Sequence, residues 1–408
     1  MSSATYRTLL RTPGAGAFFL TAAVGRVGIA MTGLGIVWLV HARTGSYATA
    51  GLVTGGFAIA EAAVGPQLAR LIDRFGQTRV LPPALLAHAA AVATLLALVA
   101  AGTPDWVMMA GGALAGATIP QIGALSAARW AALLGDGQTA ALSTAFALEA
   151  MANEAAFLVG PALVSILGAT GRPALGTVLA GALVVVGGLW FAAQRRTAPA
   201  SSASGAATHH RADRSLLRPG FAVLVGVNLA IGVFFGASQI SVTAFAVEHG
   251  VAGAAAALFT VSSCASLLAG WLYGLRRWRT PPQVQLALAA ALLAAGCLPL
   301  LLARSPVELG CCLALTGLAI PMLLVLCSVL AESAVDRAVL TQAFVWLNSA
   351  SAAGGAGATA VAGWAVGAFG AHGGFAVAVM ATSAMALLAV TGLRALRVPY
   401  SQALTGMR

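Results

Sequence analysis

The chain has 408 residues, of which 60% are hydrophobic and only 8% charged, and its net charge is +11. Soluble domains average roughly 25% charged residues, so this composition excludes ordinary soluble, disordered, fibrous and disulfide-framed proteins. Mean hydropathy is +0.91, and apolar stretches recur from end to end, as in a polytopic membrane protein. All 22 basic residues are arginine. They fall in short loops between apolar stretches, which argues against a nucleic-acid partner.

A membrane span needs about 20 apolar residues. Cutting the sequence at arginines, prolines and acidic clusters predicts six spans in the first half, at 14–42, 47–69, 82–101, 105–128, 139–168 and 173–193. Six more follow at 219–247, 252–275, 282–303, 306–331, 339–369 and 373–395. The first stretch is too long for a secretion signal and is expected to be a retained helix. With a cytoplasmic N-terminus, eighteen arginines fall inside and three, Arg43, Arg172 and Arg304, fall outside; Arg26 alone lies within a span. This asymmetry predicts both termini inside.

Residues 194–218 are polar, rich in Ala, Ser and Thr, and lack aromatics. They are expected to be a cytoplasmic linker between two six-span halves, 1–193 and 219–408. His209 and His210 are expected to be solvated there. The halves repeat: ARLIDRFGQTRVLPP begins at Ala69 and GWLYGLRRWRTPP at Gly270. Each copy has a small residue, a leucine two places on, an arginine cluster and a double proline. Two parallel six-span halves form a secondary-transporter plan. The five cysteines sit in apolar spans without metal-site or disulfide spacing, and no metal or cofactor is expected. His41, His88, His249 and His372 are scattered near predicted span ends, and no Walker motif or catalytic triad is present, so an enzyme is not expected.

The loop after span 2 resembles a motif of the major facilitator superfamily, roughly G-x-L-a-D-R-x-G-R-K. Ala69, Leu71, Asp73, Arg74 and Gly76 match it, with Arg79 one place late for the last basic residue. Ala69 replaces the first glycine, and Gly274 stands where the second copy would carry the acid. The resemblance implies the all-α fold of that superfamily, twelve helices in two pseudo-symmetric halves. It also implies that this loop latches a gate, with Asp73 meeting the helix N-terminus at the start of span 11. Arg74 and Arg79 would anchor the loop to anionic headgroups, pair with acids such as Asp136, or only set topology. Gly160-Pro161 in span 5 is similar to a motif of the superfamily's drug–proton antiporters, although Val164 stands where a following glycine is expected. The pair either marks export or simply bends and packs the helix. By the same resemblance, spans 1, 4, 7 and 10 line the cavity, which makes Arg26, Gln121, Asn228 and Met322 candidates. Pro120 and Pro321, 201 residues apart, suggest paired bends in spans 4 and 10.

Charges within spans are costly and therefore informative. Arg26, Glu61, Glu149 and Glu154 fall within spans, at depths that place them in one polar layer of the first half. Glu149 and Asn153, four apart, share a helix face, whereas Glu154 lies about 140° away from Glu149. At least one of these glutamates is expected to carry a proton; the alternative is a static network with Arg26. Arg26 and Glu61, on sequential antiparallel helices, are expected to be partners. The second half has no acid in a span interior. It offers Asn228 and Gln239 in span 7, Gln342 and Asn348 in span 11, and aromatics such as Phe234 and Trp346 as wall or packing. The resulting expectation is a monomeric, proton-coupled transporter of a bacterial plasma membrane, exporting a small amphipathic or hydrophobic compound. Import of a polar metabolite is the alternative.

Overall fold

The computed structural model describes residues 6–134, 139–199, 214–251, 253–276 and 278–396. Asp136, His209 and His210 lie outside the described residues, as does most of the expected linker. The described residues are helical throughout, and twelve helical segments are long and apolar enough to cross a membrane. Spans 1 to 6 are Ala15–Thr44, Tyr47–Phe75, Gln77–Ala100, Asp105–Thr118 continued by Ile122–Leu134, Thr139–Ala169 and Ala174–Ala193. Spans 7 to 12 are Pro219–Glu248, Ala254–Leu275, Pro282–Cys297, Pro306–Ala334, Leu340–Phe369 and Ala371–Thr391. A short helix, Tyr6–Arg11, precedes span 1.

Two departures from the sequence expectation have one cause, namely that proline punctuates membrane helices less strictly than soluble ones. Span 3 begins at Gln77 and runs through Pro82 and Pro83. The chain reverses instead at Gly76, whose φ of 93° ends span 2 and starts span 3 in a conformation that L side chains avoid. His88 therefore sits in the middle of span 3, fully buried, rather than near an end. The expected paired bends are unequal. Pro120 interrupts span 4, whereas span 10 continues through Pro321.

Small residues set how closely the helices approach. In span 1, a Cβ at Gly28 would meet the Ala180 carbonyl of span 6 at 2.6 Å. Gly160 of span 5 packs against Ala30 and Met31 of span 1. Gly160-Pro161 thus makes a close helix contact within an unbroken helix.

The two halves meet at the end of the bundle that the arginine pattern assigns to the cytoplasm. The Gln342 amide, at the start of span 11, donates to Asp73 Oδ2 at 2.9 Å, and Thr341 bonds the same carboxylate. This is the helix N-terminus that the resemblance implies for Asp73. On the other flank, Thr144 of span 5 donates to the Gly274 carbonyl at 2.9 Å, and Tyr6 donates to the Trp271 carbonyl at 3.0 Å. Burial pushes the Tyr6 phenol up to about 12, so it remains a donor at physiological pH. A Cβ at Gly274 would collide with the Tyr6 phenol and lie 2.8 Å from Ala147. This crowding explains why the second copy has no acid there: span 8 docks through its bare backbone. Phe146 and Phe344 stack edge to face between spans 5 and 11. Arg74 lies over the Phe75 ring and Arg79 is exposed.

With these contacts closing the inner side, the cavity between the halves opens outward. It holds about 990 Å³ and is walled by spans 1, 2, 7 and 11. Asp73→Ala should remove a carboxylate at a helix N-terminus, worth up to about 2 kcal/mol when partly buried. The inner gate should therefore open more often by roughly 5- to 30-fold. Labelling of single cysteines placed on the closed inner face measures this; unchanged labelling would remove Asp73 from the latch.

Candidate functional site

The charged residues of the first half form two centres rather than one. Arg26 forms an ion pair with Glu149 of span 5 through Nη2 and Oε2. Glu149 Oε1 accepts from Ser126 Oγ and Trp130 Nε1 of span 4, each at 2.7 Å. The two residues are 4% and 8% exposed. The expected Arg26–Glu61 partnership is therefore not formed. The reason lies in helix rotation. Ala30, one turn beyond Arg26 on nearly the same face, packs on Gly160 of span 5. Glu149, eleven residues before Gly160, shares that residue's face to within about 20°. The contact that brings spans 1 and 5 together thus turns Arg26 toward Glu149.

Glu61 belongs to the second centre, built on the interruption of span 4. Pro120 has no N–H, so the helix ends at Thr118 and resumes at Ile122. The Ile119 amide turns to the Gly116 carbonyl, which takes it away from Ala115. His88 Nδ1 lies 3.2 Å from the Ala115 carbonyl, and the Thr118 hydroxyl donates to the same oxygen. The interruption places Gln121 so that its Nε2 donates to Glu61 Oε1 at 2.5 Å. Asn348 of span 11, in the other half, reaches Gln121 Oε1 at 3.5 Å. Glu61 Oε2 has no partner among the described residues and is not sealed from solvent.

Thr54 and Ala58, seven and three residues before Glu61, line the outward cavity; Glu61 lies on nearly the same helix face as Thr54, deeper in the span, and is not itself among the lining residues. Asn348 is eleven residues before the lining Thr359, again nearly the same face. Gln239 lines the wall in span 7. Glu154, partly exposed, lies beside Ser266 of span 8 across the boundary between the halves, and Asn153 is exposed. Other sequence candidates stand apart. Asn228 is buried and donates to its own helix at Leu224, and Phe234 is buried in the core. Met322 is half-buried in span 10. Trp346, two residues from Asn348, points about 200° away from it and is exposed.

Sequence reasoning missed the donors. Ser126 and Trp130 are one helical turn apart, a spacing that suits a shared buried acceptor, and neither was among the sequence candidates. Arg129 counted toward topology. It is instead 0% exposed, bonded to Gln77, Phe191, Gln194 and Thr197, with its guanidinium 3.7 Å from the Phe191 ring centre. Among the described residues, no group of three His, Cys, Asp or Glu is placed to hold a metal.

A family model described as Major Facilitator Superfamily matches residues 18–359. The fold is similar to the human organic anion transporter MFSD10 (TETRAN), with a TM-score of 0.69, 16% identity, and coverage of 94% of this chain and 98% of that one. It is also similar to a bacterial homologue of the iron transporter ferroportin in its outward-facing state, at 0.70 and 14%, with the same two coverages. The transporter FucP in its outward conformation matches at 0.69 and 16%, covering 93% and 98%. Comparison with curated protein sequences finds no match.

Two substitution cycles test the centres. Glu149→Met alone should cost about 3–5 kcal/mol by leaving Arg26 unpaired, and Arg26→Met should recover much of that. Thermal melting in detergent reads the coupling; Arg26→Met and Glu61→Met should be additive by the same measurement. His88→Leu should cost about 1–3 kcal/mol by removing the Nδ1 contact to the Ala115 carbonyl. In a Pro120→Ala background the loss should shrink, because Ile119 can again bond Ala115. An equal loss in both backgrounds would show that His88 does not support the interruption.

Proposed function

The chain belongs to the major facilitator superfamily, a family of secondary transporters that work by alternating access, and we propose that it is a proton-coupled exporter of a small amphipathic compound. The observation that carries this reading is the asymmetry between the two centres. Arg26 and Glu149 neutralise one another, with Ser126 and Trp130 on the carboxylate and the Gly123 carbonyl accepting from Arg26, which suits a fixed lock between spans 1, 4 and 5. Glu61 is held by a neutral amide at one oxygen, and no described residue partners the other. A lone carboxylate beneath an open cavity is tolerable while water reaches it. Closing the cavity over it in ionised form costs several kcal/mol in a low-dielectric interior. Occlusion therefore favours a neutralised Glu61, and a proton is the simplest ligand that does this.

The bridge from Glu61 through Gln121 to Asn348 gives this charge a mechanical reading. A hydrogen bond to an ionised carboxylate is about twice as strong as one to a neutral group. Protonation weakens the bridge and loosens span 11 from spans 2 and 4. If substrate and proton compete for Glu61, each return of the carrier must bring one or the other, which is antiport. With protons entering down their gradient across a bacterial plasma membrane, substrate is driven out. Glu154, beside Ser266 at the boundary of the halves, is the second carrier candidate. A monomer suffices, since the described halves supply every part of this bridge.

Expression in an efflux-deficient bacterial host should raise tolerance to amphipathic toxic compounds, and a protonophore should abolish the gain. Glu61→Gln should reduce the gain at least tenfold at equal membrane abundance, with Glu154→Gln the smaller effect. A protonophore-insensitive gain, or full activity of both variants together, would overturn proton coupling here. Growth on a polar metabolite in place of tolerance would overturn export.

A further inference from the structure

We infer that the mouth of the cavity carries a sensor of external acidity, in which protonation of His249 clips the outer end of span 7 to the loop between spans 9 and 10 and so holds the mouth open. The device is independent of what is carried, of the direction of transport and of Glu61. His249 Nδ1 lies 2.9 Å from the Phe245 carbonyl, and Nε2 lies 3.2 Å from the Arg304 carbonyl. Both partners are acceptors only. A neutral imidazole has one N–H, and its other nitrogen is itself an acceptor. In the neutral ring, one of the two contacts therefore sets a lone pair against a lone pair. The imidazolium donates to both.

The surroundings also suit a cation. The ring stacks on Phe245, with centroids 3.9 Å apart and planes 21° apart, and Phe245 is fully buried. A cation over an aromatic face is attracted by the ring quadrupole. Glu248, the adjacent residue, accepts the Ala371 amide at the start of span 12 at 2.8 Å. His372, in the first turn of span 12, places Nε2 3.0 Å from the Ala303 carbonyl. One N–H satisfies that contact, so His372 can clip the same loop without a charge. The other charges nearby belong to the loop and span 10. The Arg304 side chain is exposed, and Glu308 accepts the Arg304 amide at 2.8 Å. Span 11 has no titratable side chain between Thr359 and Gly370.

Span 7 turns this local chemistry into control of the mouth. Six of its residues between Gln239 and Glu248 line the cavity, and His249 is next in the chain. The Arg304 contact ties that end of the span to a loop outside the cavity lining. Across the cavity, Gly51 and Gly55 of span 2 face open space, with nothing within 4 Å of an added Cβ. With the clip made, the outer end of span 7 is held back from span 2. With it released, that end is free to swing across and narrow the mouth. His249 is exposed on the side to which the cavity opens, so it exchanges protons with the outer medium. Histidine is the side chain whose charge changes over the ordinary pH range. Acid outside favours the open mouth, and rising pH releases it.

Amide hydrogen exchange of residues 246–251 and 302–306 in the purified full-length protein tests this at about pH 6 and about pH 8. Comparison with His249→Gln at the same pH cancels the intrinsic exchange rate. At the lower pH the unaltered protein should be about tenfold better protected, as for one charge-assisted hydrogen bond, and at the higher pH the two should match. His249→Arg, charged at both pH values, should keep the protection at both. His372→Gln should lower protection at both without changing their ratio. Labelling of Gly51→Cys by a membrane-impermeant maleimide, located by mass spectrometry, reads the mouth. It should be several-fold faster with His249 in place than with His249→Gln at the lower pH, and equal at the higher. A pH response that survives His249→Gln, or one that His372→Gln abolishes, would overturn the assignment to His249. Matched labelling rates at the lower pH would overturn control of the mouth. If His249→Gln does not fold, the unaltered protein is set against His249→Arg, and parallel pH curves overturn the sensor. Loss of proton coupling at Glu61 leaves each of these outcomes as stated.

Discussion

An ionised side chain inside a bilayer must find a partner or water, and the first half of this protein has one cation and three acids to place. Arg26 and Glu149 form an ion pair, with Ser126 and Trp130 completing the coordination of the carboxylate. That pair ties spans 1, 4 and 5 into one block and leaves Arg26 unavailable to Glu61. Glu61 cannot borrow the same cation. It is left with the Gln121 amide as its hydrogen-bond partner among the described residues, and the functional reading depends on this division of partners.

The interruption of span 4 supplies the amide. An unbroken helix would present Gln121 on a regular face. Pro120 removes a donor from the helix ladder, His88 and Thr118 gather at the Ala115 carbonyl, and Gln121 turns to Glu61. The related proline in span 10 lies in a continuous helix, so the polar machinery is concentrated in the first half although the architecture is repeated. The same loss of symmetry is visible at the inner gate. One copy of the repeat closes with a carboxylate on a helix N-terminus, at Asp73 and Gln342. The other closes with a backbone glycine under Tyr6 and Thr144. The two flanks therefore answer to different chemistry, the first to charge and the second to steric fit.

Much of this was legible in advance. The twelve spans follow from hydropathy, and one short motif pointed to Asp73, which meets the N-terminus of span 11. Of the cavity candidates, Gln239 lines the outward cavity, and Gln121 and Asn348 hydrogen-bond to each other between the halves. The partnership of Arg26 with Glu61 was wrong, because depth along two neighbouring helices says nothing about the direction each side chain takes. Asn228 and Phe234 were polar or aromatic residues in the right helix but turned inward. His88 and Arg129 were misplaced in meaning. One lay in a helix whose start was set by Gly76 rather than by Pro82, and the other was buried among carbonyls that no sequence pattern announces.

The sequence by itself determined that the chain has twelve helices long and apolar enough to cross a membrane, and set the expectation of which way they face. These follow from hydropathy and charge, which are properties of each segment taken alone and are enforced by the cost of moving polar groups into hydrocarbon. Only the tertiary structure decided which acid met the arginine, which acid met the cavity, and which side of the molecule was closed. Those outcomes depend on how each helix is rotated about its axis, and rotation is fixed by close contacts such as Gly28 on Ala180 and Gly160 on Ala30. Such contacts join residues more than a hundred positions apart. A few tens of degrees of rotation carry a side chain from one partner to another, while the hydropathy of its segment stays the same.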